Sequence, residues 1–188
     1  MWWALLLNTI ASFLGDGAGA ASSYESIATV SVGSGGSAGI TFSSIPSTYK
    51  HLQIRCLAKS SGPTNGENTK IYVNNITAST NYAWHVVRGS GSAAAAAGGG
   101  GNYIVANVGT TNATSTFSAM IIDILDYSDT NKNKTIRNLY GWDSNGAGYV
   151  GLSSVLAPTT SAISQVDIFM DYNFSQYSSF ALYGIKGA

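Results

Sequence analysis

An all-β, antiparallel sandwich of jelly-roll type, preceded by an apolar arm, is the fold class this 188-residue sequence predicts. Three observations predict it. From Ser26 onward, apolar and polar residues alternate with a period of two in short runs rich in Val, Ile, Thr, Tyr, Phe and Trp. Turn residues separate these runs at short spacing. No stretch after residue 25 keeps a helical period for three turns, so the crossover helices that a parallel sheet needs are missing.

Residues 1–14, Met-Trp-Trp-Ala-Leu-Leu-Leu-Asn-Thr-Ile-Ala-Ser-Phe-Leu, come first and carry no charge. Trp3, Leu6, Leu7, Ile10, Phe13 and Leu14 recur at i, i+3, i+4, i+7, i+10 and i+11, one face of a helix, and Trp2 adds a second indole. The run is shorter than the roughly 20 residues needed to span a bilayer. Ala18-Gly19-Ala20 imitates a signal-peptidase site, but the basic start of a signal peptide is lacking. Residues 15–23 are Gly, Ala, Ser and one Asp, a flexible tether. Two Trp and several Leu on such a tether need burial, either back against their own domain or in a partner protein, and the reach the tether allows favours docking into a partner. The expected division is therefore an anchoring arm and tether at 1–23 and a β-sandwich at 24–188.

The strands follow at 26–32, 40–45, 49–59, 69–74, 82–88, 103–108, 116–127, 134–142, 149–156, 163–170 and 179–185. Between them lie Gly33-Ser34-Gly35-Gly36, Gly62-Pro63-Thr64-Asn65-Gly66, Asn74-Asn75, Asn145-Gly146 and Ala157-Pro158, all turn chemistry. Residues 89–102, with five Ala and four Gly in a row, read as an exposed low-complexity loop. Eleven short strands in one body indicate a sandwich or jelly roll. In Leu52-Gln53-Ile54-Arg55-Cys56-Leu57, alternation places Cys56 with Leu52 and Ile54 on the face opposite Arg55 and Leu57, as a small buried hydrophobe. As the single cysteine, it also rules out an intrachain disulfide.

Charge is scarce: nine Lys or Arg and nine Asp or Glu, 10 % of the chain, where a soluble domain carries roughly a quarter. Net charge is zero, so long-range attraction to nucleic acid or to anionic lipid is not expected. A hydrophobic content of 45 % excludes general disorder. Few titratable groups are left for acid–base chemistry, and neither an enzyme, a cofactor nor a metal is expected.

The motifs that spell chemistry as strings read as structure. Gly35-Gly36-Ser37-Ala38-Gly39 spells the nucleophile elbow, but a strand follows where that motif needs a helix, so a hairpin turn is expected. Asp129-Thr130-Asn131-Lys132-Asn133 copies the start of a calcium loop, yet Lys134 stands where the bend needs Gly and Tyr140 where the ion needs Glu. A polar hairpin tip is expected there. Asp123 and Asp126, three apart in a strand, point to opposite faces and cannot share a substrate as acid and base; Asp123 is expected to pair with a cation or a backbone group. Tyr140, Trp142 and Tyr149 flank the turn at 143–146; they fit core or hairpin pairing, a subunit interface or a glycan platform.

Several strings together carry a resemblance: Ser23-Tyr24-Glu25-Ser26-Ile27-Ala28, Phe42-Ser43-Ser44-Ile45-Pro46-Ser47-Thr48-Tyr49-Lys50-His51-Leu52-Gln53-Ile54-Arg55, Asp123-Ile124-Leu125-Asp126-Tyr127 with Thr130-Asn131-Lys132, and Ser178-Ser179-Phe180-Ala181-Leu182-Tyr183-Gly184-Ile185-Lys186. Over roughly residues 23–188 the sequence resembles a family of small structural virion proteins of tailed bacteriophages, particularly aquatic phages and cyanophages. The resemblance implies a capsid decoration (cement) protein on the outer surface of the particle, or a short fibre or tail component. It implies no enzyme activity. Partners would be other virion proteins, the major capsid protein or a tail component, and copies of itself, with a trimer favoured to close the sheet edges. Trp2, Trp3, Leu6, Leu7, Ile10, Phe13 and Leu14 are the expected anchor. The alternative expectation is a fibre module that recognises host-surface glycan through Tyr140, Trp142 and Tyr149.

Overall fold

The computed structural model describes residues 23–63, 66–100, 106–108 (backbone only), 115–143 and 146–187. The arm at 1–14, with its seven anchor residues, lies outside the described residues. The described residues form twelve strands, and each run expected from period two overlaps one: β1 (Tyr24–Ser31), β2 (Ser37–Phe42), β3 (His51–Ala58), β4 (Glu67–Val73), β5 (Ala83–Gly89), β6 (Ala94–Gly100), β7 (Ala106–Val108), β8 (Ser118–Leu125), β9 (Lys134–Asp143), β10 (Gly148–Ala157), β11 (Val166–Phe174) and β12 (Ser179–Ile185). A 3-10 turn, Ser79–Asn81, precedes β5.

The strands make two sheets, ordered β1-β12-β3-β8-β9-β10-β5-β6 and β2-β11-β4-β7, with antiparallel pairing throughout. Within them β1 pairs with β12, β2 with β11, β3 with β8, and β4 with β7. That nested pairing is a long hairpin rolled into two sheets, the jelly roll. Strands β9, β10, β5 and β6 are additions that widen the first sheet from four strands to eight.

Alternation fills the space between the sheets. Leu52, Ile54, Ile122, Ile124, Ile136, Phe180 and Leu182 of the large sheet face Ile40, Phe42, Ile71, Val73, Val166, Ile168 and Phe174 of the small one. The Phe174 and Phe180 rings meet edge to face with centroids 4.8 Å apart, tying β11 to β12 across the core. Tyr82 is buried at one end, where its hydroxyl donates to the Ile76 carbonyl (2.9 Å) and accepts from the Val73 N–H (3.1 Å). Cys56 is buried beside Leu52 and Ile54, as expected, and burial pushes its thiol pKa far up, which removes it as a nucleophile.

Two expectations are corrected. The loop expected at 89–102 contains β6, paired residue for residue with β5 from Ala83↔Gly100 to Gly89↔Ala94. Ala and Gly have no side-chain preference for a strand, and pairing with β5 supplies what propensity does not. The glycines suit their places: a Cβ on Gly98 would stand 2.4 Å from the His85 ring, and Gly99 lies against the Trp84 indole. The second correction concerns Gly33–Gly36. Instead of a hairpin it forms an arch, because β1 joins the large sheet and β2 the small one. Gly36 takes φ +71° there, and a Cβ would sit 2.9 Å from the Phe174 carbonyl.

Candidate functional site

The chemical motifs resolve into structure. Ser37 opens β2, and its Oγ donates to the Gly39 carbonyl at 2.7 Å. The histidines stand elsewhere: His51 Nδ1 accepts from the Asp126 N–H at 2.9 Å, and His85 lies on β5. At the β8–β9 tip, Asp129 Oδ1 accepts from the Asn131 backbone N–H at 2.8 Å, and Lys132 Nζ reaches Asp129 at 3.2 Å and Asp126 at 2.6 Å. The ammonium therefore occupies the carboxylates of the would-be calcium loop. Asp123 accepts from Gln53 Nε2 and Arg137 Nη2, both at 2.9 Å, while Asp126 takes Lys50 and Lys132. The two acids serve separate cation partners and no shared cleft. Among the described residues, no three His, Cys, Asp or Glu side chains gather closely enough to hold a metal, and no helix is long and apolar enough to cross a membrane.

Hydrogen bonds from Lys132 and then Lys50 lower the Asp126 carboxyl pKa from 3.8 to about 2. A carboxylate held down in the fold stabilises it above the unfolded value, and that contribution is lost as pH falls through the folded one. Stability should therefore drop between about pH 4 and pH 2. Replacing Asp126 with Asn should flatten this limb of the melting-temperature profile. An unchanged acid limb would show that the cluster contributes nothing.

The aromatic trio divides. Tyr140 and Trp142 are buried and face inward on β9. Tyr149 is half-buried, with its ring centroid 5.9 Å from Trp142 and the Arg88 guanidinium 5.0 Å above it. Gly151 makes room for Tyr140: a Cβ there would lie 2.5 Å from the phenol. A glycan platform at this hairpin would draw on Tyr149 and on the shallow depression lined by Thr116, Phe117, Trp142, Asp143 and Ala147.

The least expected surface is the outer face of the large sheet. The outer face of the small sheet is satisfied: Thr41 donates to Asp167 at 2.6 Å, Lys70 pairs with Asp171, and Tyr72 stacks on Phe169 at 4.5 Å. The large sheet differs. Its register aligns one outward row as Ala181, Arg55, Ile121, Leu139, Leu152, Val87 and Ala96. The next row is Ser179, Leu57, Ala119, Gly141, Val150, Gly89 and Ala94. Leu57, Ile121, Leu139, Val150, Leu152 and Val87 are all exposed, Val150 by 62 % and Leu139 by 53 %.

Relief runs across the second row. Leu57 and Val150 stand up, and Ala119 and Gly141 between them floor a trough walled by Ile121 and Leu139. Charges on this face are partnered: Arg55 lies over the rings of Tyr24 and Tyr183 at 5.2 and 5.1 Å and donates to Gln53, which donates to Asp123, which also accepts from Arg137. The sequence reading missed this face, although a signal was present. In β8 both parities are largely apolar: Met120, Ile122 and Ile124 point inward, while Ala119, Ile121 and Leu125 point outward with Asp123 among them. Such strands read as buried on both sides, and the second sheet covers one side.

Fold and surface together define a class: a widened jelly-roll sandwich with one polar outer face and one that carries an apolar patch beside a row of paired polar side chains. No protein-family model matches the sequence, and no curated protein does. Among solved structures, fructofuranosidase from Schwanniomyces occidentalis complexed with fructosylnystose is similar over 87 % of this chain and 33 % of that one, at a TM-score of 0.20 and 9 % identity. The chain thus spans about a third of that protein's length, and similarity at this level carries no argument about fold or activity.

Proposed function

We propose that this chain is a structural subunit of a tailed-phage particle: a capsid decoration protein on the outer surface, held by its amino-terminal arm and assembled with copies of itself. The observation that carries an assembly role is the outer face of the eight-stranded sheet, where Leu57, Val87, Ile121, Leu139, Val150 and Leu152 form an apolar patch that no described residue covers. The virion setting draws its support from the sequence strings named above, several of which form β1, β3 and β12. The scattered, cation-paired acids support a role without a catalytic step. Trp2, Trp3, Leu6, Leu7, Ile10, Phe13 and Leu14 supply the anchor, and the partner is the major capsid protein or a tail component.

Deleting residues 1–20 should leave a folded β-domain, because β1 starts at Tyr24 and is tied through β12 to the core. Mixed with particles lacking this protein, the truncated chain should fail to co-sediment, while the full chain binds. Full-chain occupancy by the truncation would overturn the arm as anchor. Several arms on one oligomer would add avidity of about 10²–10⁴-fold over one.

A further inference from the structure

We infer that the outer face of the eight-stranded sheet packs against the same face of a second copy of this chain. The inference deepens the assembly reading, on which it rests for the premise that this face is covered in the working state. It commits to one occupant for three reasons.

The first is area. Seven strands from β12 to β6, about 4.8 Å apart, and four outward rows, about 6.8 Å apart, give a face of roughly 900 Å², two of its rows mainly apolar and a third carrying Gln53, Asp123, Arg137, Ser154 and His85. A standard interface takes about 800 Å² from each partner. The chain's own arm, taken as the 14-residue helix its spacing predicts, covers roughly 200 Å² and leaves most of the face bare.

The second is shape. A trough of Ala119 and Gly141 lies one strand away from each of the knobs Leu57 and Val150 on the same row. A two-fold axis lying in the plane between the two sheets and parallel to the strands, over the β9–β10 seam, sets Val150 of each copy into the trough at Gly141 of the other, so one contact is made twice. Sheets that stack this way lie about 10 Å apart, and the small residues at 94–98 on β6 let the far end of the face close without a clash.

The third is charge. The chain is neutral overall, so copies approach without like-charge repulsion. Arg55, Asp123 and Arg137 lie on the face itself and already have partners within one copy, so covering the face leaves none of them unpaired. Two-fold pairing predicts two chains, in place of the three expected from closing sheet edges.

Sedimentation of the full chain from submicromolar to high micromolar concentration tests this. The expected result is a two-chain mass, and a dissociation constant raised at least about 100-fold by Leu139→Glu, which buries an unpaired carboxylate in each copy. Ala119→Leu, which fills the trough, should weaken pairing at least about tenfold. Leu139 and Ala119 are exposed, so far-UV circular dichroism and melting should match wild type; should Leu139→Glu unfold, Ala119→Leu carries the test. A single-chain mass at all concentrations, a three-chain mass, or pairing unmoved by both substitutions would overturn the inference. Particle attachment is read separately. A monomer that still attaches sinks the pairing alone, and a pair that does not attach sinks the virion reading alone.

Discussion

Phe180→Ala is expected to destabilise the domain by about 3–5 kcal/mol, the range for removing a buried aromatic from a core. Phe180 is fully buried on β12, and its ring packs edge to face on Phe174 of β11, so it bridges the two sheets. Alanine removes both the transfer energy of the ring and its contact with Phe174, and leaves a cavity that flanking strands cannot close. Domains are stable by about 5–15 kcal/mol, so much of the total is at stake. Chemical denaturation should show a large fall in midpoint with an unchanged slope. Leu139→Ala, on the outer face, is the comparison, and in the monomer it should cost no more than about 1 kcal/mol. Equal losses from the two would mean that the sheets are not held together through this ring pair.

Lys134→Met is expected to cost about 2–4 kcal/mol, mostly through the groups it leaves behind. Lys134 opens β9 and is buried. Its ammonium donates to the carbonyls of Asp129, Lys132 (2.8 Å) and Thr160 (3.3 Å), which fastens the β8–β9 tip to the segment before β11. Burial lowers its pKa, and the nearby Asp129 carboxylate opposes that shift. Methionine keeps much of the volume and supplies no donor, so three carbonyls lose a partner in a site from which water is excluded. The readout is again the denaturation midpoint, joined by faster amide exchange at 126–133. A near-neutral result would mean that water reaches these carbonyls once the ammonium is gone.

Lys134 also shows where sequence reading stops. It sits beside a calcium-like string and in a strand-forming run, and both features were legible. Its burial was not, because it depends on Thr160, 26 residues away, folding back over the tip. The arch at Gly33–Gly36 has the same origin. Its composition announces a turn, and only the placement of β1 and β2 in different sheets decides that the turn crosses the sandwich. Strand β6 is the extreme case, since its Ala and Gly carry no pattern and its pairing is written in β5.

By itself the sequence determined the all-β class, eleven of the twelve strands among the described residues, the inward face of β3 with Cys56 on it, and a structural role for Asp123, while the fold chose Arg137 as its cation. These follow from period two, turn chemistry and local charge, which act over a few residues. Tertiary structure decided the nested jelly-roll pairing, the widening of one sheet to eight strands and the emergence of Leu57, Ile121, Leu139, Val150 and Leu152 on a face that no described residue covers. The reason is physical: alternation says that a strand has two faces, and whether each is covered depends on which segments, distant in the chain, pack over it.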